Sequence, residues 1–150
     1  MKKTIGKKAA GEKTTSLRKL KTEIKRLNKS YEYASGIEAL FFVVDDIGVK
    51  LYDNKKCADF AYTTQRLASE HYLGPRVFSR INVKGVGFGF LTEVADTSEF
   101  YDWDEDSEEC DDLRDELYKI GIDHGDLHED NVGTIEGRLV CIDFGPISAS

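Results

Sequence analysis

Cysteine is scarce in this chain: three in 150 residues, Cys57, Cys110 and Cys141, odd in number and far apart. That usage fits neither a disulfide framework nor a clustered zinc site, and it suits a reducing cytosol. Long apolar runs are missing as well. The longest, residues 39–44, falls far short of the roughly 20 residues that cross a bilayer. The start, Met1-Lys2-Lys3-Thr4-Ile5-Gly6-Lys7-Lys8, carries positive charge with no apolar stretch behind it, so no secretory leader is expected. A cytoplasmic protein is the expectation. Acids are nearly absent from residues 1–29, which hold eleven Lys/Arg and two Glu. Cations are nearly absent from residues 93–116, which hold thirteen Asp/Glu and one Arg, so the net charge of −7 averages two opposite ends.

What is present fits one soluble domain able to bury a core: 40% of residues are hydrophobic and 33% charged. Residues 1–14 have no hydrophobic period and read as a disordered basic tail. Thr15 or Ser16 can cap a helix over 15–29, in which Leu17, Leu20, Ile24 and Leu27 form one apolar stripe opposite a basic face. That helix packs on the domain or docks an acidic partner or nucleic acid. The pattern then turns to strands at 31–34, 39–45 and 49–53, the last two joined by a turn at Asp46-Ile47-Gly48. A helix follows over 55–72, stopped by Gly74-Pro75. Strands at 76–83 and 88–94 form a hairpin around Gly85 to Gly87. The acidic stretch 96–109 reads as a loop, 111–121 as a helix carrying Leu113, Leu117 and Ile120 on one face, and 132–135 with 139–142 as a hairpin turning at Glu136-Gly137.

Two motifs near the C-terminus carry chemistry. The first is His124-Gly125-Asp126-Leu127-His128-Glu129-Asp130-Asn131, and the second is Asp143-Phe144-Gly145 behind the apolar run Leu139-Val140-Cys141-Ile142. Asp126 precedes Asn131 by five residues and Asp143 by seventeen. Carboxylate and amide oxygens suit magnesium, and an Asp can receive a proton from a hydroxyl. His124, Asp126, His128 and Asp130 also alternate, which on an extended segment would put all four on one face as a metal cluster.

Taken together, the motifs and element order resemble the protein-kinase-like phosphotransferases over residues 30–145, with the His-Gly-Asp-Leu-His form closest to the aminoglycoside and choline kinase-like branches. The resemblance implies an α+β fold. A small lobe at 30–95 would hold a five-stranded antiparallel sheet plus one helix. A truncated, mostly helical large lobe at 96–150 would carry the catalytic loop. It implies ATP and Mg²⁺ as cofactors, with Asp126 orienting and deprotonating the acceptor hydroxyl. Asn131 and Asp143 would hold the metal, with His124 packed beneath the metal loop to brace it. Lys50, in Gly48-Val49-Lys50-Leu51-Tyr52, would contact the α- and β-phosphates. Gly36 would lie in the phosphate-covering loop, and Thr92, Glu93 and Ala95 in the hinge that meets adenine. The γ-phosphate would go to a Ser/Thr hydroxyl on a protein or to a small-molecule hydroxyl; membranes and nucleic acids are not among the expected partners.

Three departures accompany the resemblance. No Glu stands on the 55–72 helix near Thr64 or Gln65, where the family pairs one with the strand lysine; Asp59 and Glu70 are the nearest acids. The loop around Gly36 has a single glycine. The motif stops short of the family's later helices, so the apolar face of the 111–121 helix is expected to need cover from a homodimer, a partner protein or the N-terminal helix. These departures keep a second reading open, a non-catalytic kinase-like module that binds and regulates a partner.

Overall fold

The computed structural model describes residues 10–29, 39–98, 108–124, 127 and 131–144, with the backbone alone for 10–16. In chain order the elements are α1 (Ala10–Lys29), β1 (Ala39–Val44), β2 (Ile47–Tyr52), α2 (Lys55–Glu70), β3 (Val77–Val83), β4 (Gly87–Thr92), α3 (Glu108–Lys119), β5 (Val132–Ile135) and β6 (Arg138–Cys141). The fold is α+β, with a four-stranded antiparallel sheet and a separate two-stranded one. The first expected strand, 31–34, lies outside the described residues. The chain divides into two compact units, Met1–Ala58 with Phe78–Glu93, and Asp59–Val77 with Val94–Ser150.

The first unit is the sheet in the order β1-β2-β4-β3, with α1 packed on it. Val44 pairs with Ile47, so Asp45 and Asp46 alone make the turn. Asp45 has a φ of +57°, a left-handed conformation that a short polar side chain tolerates. This corrects the expected turn at residues 46–48. Ile47 is buried with Val49 and Leu51, and that alternation draws Ile47 and Gly48 into the strand. The core face carries Leu40, Phe42, Ile47, Val49, Leu51 and Leu91. Helix α1 adds Leu20 and Ile24 to it, with Leu17 and Leu27 at the margin. The expected stripe is therefore the packing face. The helix itself starts at Ala10, ahead of the expected start at Thr15 or Ser16 and inside the segment read as a disordered tail. Ala10, Glu12 and Lys13 are good helix formers, and the helix extends through them.

Helix α2 begins in the first unit and runs into the second. Asn54 caps it, its Oδ1 accepting from the Cys57 backbone N–H at 2.8 Å. At the other end, Leu73 N–H donates to Ala68 O at 2.9 Å and Tyr72 N–H to Ser69 O at 3.1 Å. This double closure is the Schellman arrangement. It ends the helix at Glu70, two residues before the expected boundary.

In the second unit the apolar face of α3, Cys110, Leu113 and Leu117, is buried with Ile122, Leu127, Val132, Cys141 and Phe144. The face expected to need a partner is covered by residues of its own unit, while the α1 stripe is used on the sheet of the first. The β5–β6 hairpin pairs Ile135 with Arg138, and Glu136 and Gly137 turn it with φ of +53° and +80°. Two positive φ values define the type I′ turn that matches strand twist, at the expected position. No helix among the described residues is long and apolar enough to cross a membrane.

Candidate active site

Lys50 sits in the middle of β2, between Phe41 on β1 and Phe90 on β4. Residues alternate across a strand, so these three share the sheet face opposite the α1 core. Lys50 is half-buried, and its Nζ lies 5.9 Å from the centroid of the Phe90 ring, within reach of a cation–π contact. Thr92 belongs to the same face through its pairing with Gly48. A Cβ added at Gly48 would come within 2.9 Å of the Phe41 ring and 3.0 Å of Thr92 Cγ2. Glycine there lets Phe41 lie over the strand beside Thr92. Phe41 and Val43 are each about half exposed, while Phe90 and Thr92 are buried. The first unit therefore presents an apolar face, open at β1, with one ammonium set into it.

Gly87, expected in the hairpin turn, belongs to the strand beside Gly89. The turn is Lys84 to Val86, with Gly85 at a φ of +83°. Gly87 and Gly89 are strand residues of β4. A Cβ at Gly89 would fall 1.6 Å from Lys50 O, and one at Gly87 would fall 2.6 Å from Tyr52 O. Only glycine allows β4 to approach β2 here, so Gly89 sets where the Lys50 backbone lies. Strand propensity disfavours glycine, which is why the run read as a turn.

The hinge expected at Thr92, Glu93 and Ala95 coincides with the unit boundary, which falls between Glu93 and Val94. Thr92 Oγ1 donates to Glu93 O at 3.1 Å. Ala95 is half-buried in the second unit, beside Gly133, where an added Cβ would come 2.9 Å from Ala95 Cβ. That close approach lets Asp96 and Thr134 exchange backbone hydrogen bonds, both at 2.9 Å. The Asp96 carboxylate accepts from the backbone N–H and hydroxyl of Ser98, which lowers its pKa from the ordinary value.

In the second unit the β5–β6 ladder pairs Val132 with Cys141 and is extended by Ile142 N–H donating to Asn131 O at 2.8 Å. Asn131 is thereby held opposite Ile142, and Asp143 is the next residue. Asn131 and Asp143, twelve residues apart in sequence, thus have their backbones close together at the open end of one hairpin. Asn131 is buried and Asp143 exposed. His124 is buried, and its Nε2 lies 2.7 Å from Asp143 O. A carbonyl oxygen only accepts, so Nε2 carries the proton and donates. Phe144 packs on the other side, 3.0 Å from a Cβ placed at Gly74. Asp126, His128, Asp130 and Gly36 lie outside the described residues, and among those described no group of three His, Cys, Asp or Glu could hold a metal.

No family model, curated protein or solved structure matches this chain. The site has to be read from its own residues. Where the resemblance expects an acid on α2, Gln65 is fully buried and its Nε2 donates to Pro75 O at 3.0 Å. Thr64, the alternative position, lines a cavity beside His124 and Phe144. Glu70 is exposed and faces Arg66 at 3.8 Å. The sequence reading passed over Gly89, Gly133 and this cavity, since each depends on contacts between distant segments.

Proposed function

We propose that the chain is an ATP- and Mg²⁺-dependent phosphotransferase of the protein-kinase-like type, moving the γ-phosphate to a Ser/Thr or small-molecule hydroxyl. The observation that carries this reading is the closure of the β5–β6 hairpin, with Asn131 beside the Ile142–Asp143 end and His124 bonded to the Asp143 carbonyl. The donor set fits the metal. An amide oxygen and a carboxylate are hard ligands, and magnesium is commonly held by one or two such groups while keeping several waters.

Each residue then has a defined task. Asp143 and Asn131 would hold Mg²⁺, which when bound would neutralise charge on the transferring phosphoryl group. His124 positions Asp143 through its backbone carbonyl and touches neither nucleotide nor acceptor. Lys50 offers an ammonium to the phosphates. Thr92 and the backbones of Glu93 and Ala95 meet the base. Asp126 aims the acceptor hydroxyl and takes its proton as the new P–O bond forms and the bond to the nucleoside diphosphate breaks. Substrate cations can be drawn by the acidic stretch 96–116. The four-stranded sheet with a helix between its second and third strands is compatible with the small lobe of such enzymes.

A second reading, a non-catalytic kinase-like module that binds and regulates a partner, is favoured by one observation. The α2 position expected to carry a carboxylate carries Gln65, whose amide is committed to Pro75. Thermal shifts separate the two. ATP with Mg²⁺ at millimolar concentration raises Tm, and ATP alone raises it less. Asp126→Asn abolishes γ-phosphate transfer and keeps the shift. Equal turnover in that variant refutes the role of Asp126; a shift without turnover in the unaltered chain, or no shift at all, selects the binding module.

A further inference from the structure

The unit that holds Asn131 and Asp143 carries a second feature. A cavity of about 220 Å³ opens between α2 and residues 121–124. Its floor is buried: Ile122, His124 and Phe144 are at most 8% exposed. Its mouth is not, since Phe60 is 52% exposed and Thr63 and Asp123 are exposed as well. Leu67 and Thr64 complete the α2 wall. The floor is apolar apart from His124, and at the mouth Phe60 stands with Thr63 and Asp123, the one carboxylate among the lining residues.

Size and chemistry together select a ligand class. An apolar cavity of ~150 Å³ is enough for benzene, whereas drug-sized ligands use ~300–1,000 Å³. The space here suits one fused ring system. A ring entering past Phe60 would rest on Ile122 and Phe144. A positive group on a short arm would remain at the mouth, within the field of Asp123 and the face of Phe60. We propose that this cavity is a binding site for a compact aromatic amine. Because its floor includes His124, which donates to the Asp143 carbonyl, and Phe144, the next residue, occupancy is felt at Asp143. That consequence for activity rests on the metal role proposed above; the binding itself does not.

The test uses the full chain with tryptamine and indole-3-propionate, one ring system with opposite charges. Tryptamine is expected to shift the amide resonances of Gly121, Ile122 and Phe144 saturably, at about millimolar concentration or below, and to bind more tightly than the propionate. Asp123→Asn narrows that preference about threefold, the scale of an exposed ion pair. Thr63→Trp, at an exposed position, plugs the mouth and removes binding of both probes. Absence of saturable shifts at those resonances overturns the proposal, and this readout needs no variant to fold. Unchanged binding in Thr63→Trp overturns it too, and an unchanged preference in Asp123→Asn overturns the amine class. A chain that binds tryptamine yet gives no thermal response to ATP with Mg²⁺ keeps the cavity and sinks the phosphotransferase reading. The converse result sinks the cavity alone.

Discussion

Tyr72 and Gly121 occupy the same place at the ends of two helices. Helix α3 closes as α2 does, with Ile122 N–H donating to Leu117 O at 2.9 Å and Gly121 N–H to Tyr118 O at 3.0 Å. The residue in the left-handed position is Gly121, with φ +94°, in one case and Tyr72, with φ +62°, in the other. A side chain there costs roughly 1–2 kcal/mol. Tyr72 offsets part of this by stacking on Arg138, whose guanidinium carbon lies 5.2 Å from the ring centroid, a contact worth ~0.5–1 kcal/mol when exposed. Gly121→Ala is therefore expected to lower stability in urea titration by roughly 1–2 kcal/mol. Tyr72→Gly relieves strain but loses the stack and adds unfolded-state freedom, leaving stability within about 0.5 kcal/mol. A Tyr72→Gly loss as large as that of Gly121→Ala would remove the strain argument. Gly89→Ala is the severe change, since a Cβ 1.6 Å from Lys50 O cannot be accommodated without parting β4 from β2. About 3 kcal/mol, the upper range for overpacking, is expected, and wild-type stability would show that the strands can part freely. The types of Lys50, Asn131 and Asp143 were legible in the sequence because their chemistry is local. Gly89 and Tyr72 were not, because the demands on them come from a neighbouring strand and a helix end.

Helix α1 shows how far periodicity carries at the scale of an element. Leu17, Leu20, Ile24 and Leu27 were readable as one stripe because helical spacing is intrinsic to the chain. What the stripe packs against was not, since the strands it covers begin ten residues beyond the helix end. Likewise, α3 is amphipathic as expected, but its cover is neither the N-terminal helix nor another chain. Its partners Val132, Cys141 and Phe144 come from segments read separately as a hairpin and a metal loop. The hairpins themselves were placed within a residue or two by their turn chemistry, and the errors fall where glycine was taken for a turn. A chain beginning at residue 30 should expose Leu40, Phe42, Val49, Leu51 and Leu91, an apolar face large enough to drive aggregation. Light scattering at micromolar concentration checks this, and a soluble monomer with an intact sheet would contradict the packing role of α1. By contrast, Lys25→Glu with Lys29→Glu alters only the exposed face and should leave stability within about 0.5 kcal/mol.

At the scale of the molecule, the described residues form two hydrophobic clusters whose memberships do not overlap. One joins Leu20 and Ile24 of α1 to β1, β2, β3 and β4; the other joins Cys110, Leu113 and Leu117 of α3 to β5, β6 and Phe144. Each lies within one of the two compact units. Cooperativity follows packing, so each cluster should open as its own unit below the global unfolding limit. Ile24→Ala and Leu117→Ala delete side chains that are 0% exposed, and each should cost roughly 2–5 kcal/mol in the core it belongs to. Native-state hydrogen exchange distinguishes local from global loss. Ile24→Ala should raise exchange in the amides of β1, β2 and β4 while those of α3, β5 and β6 keep their protection, and Leu117→Ala should do the reverse. Helix α2 is the informative element, because Lys55–Ala58 belongs to the first unit and Asp59 onward to the second. Its first turn should follow Ile24→Ala and its later turns Leu117→Ala. Equal loss of protection across all elements in both variants would make the chain a single cooperative block. The assignment of Lys50 to one stability unit, and of Asn131 and Asp143 to another, would then fall with it.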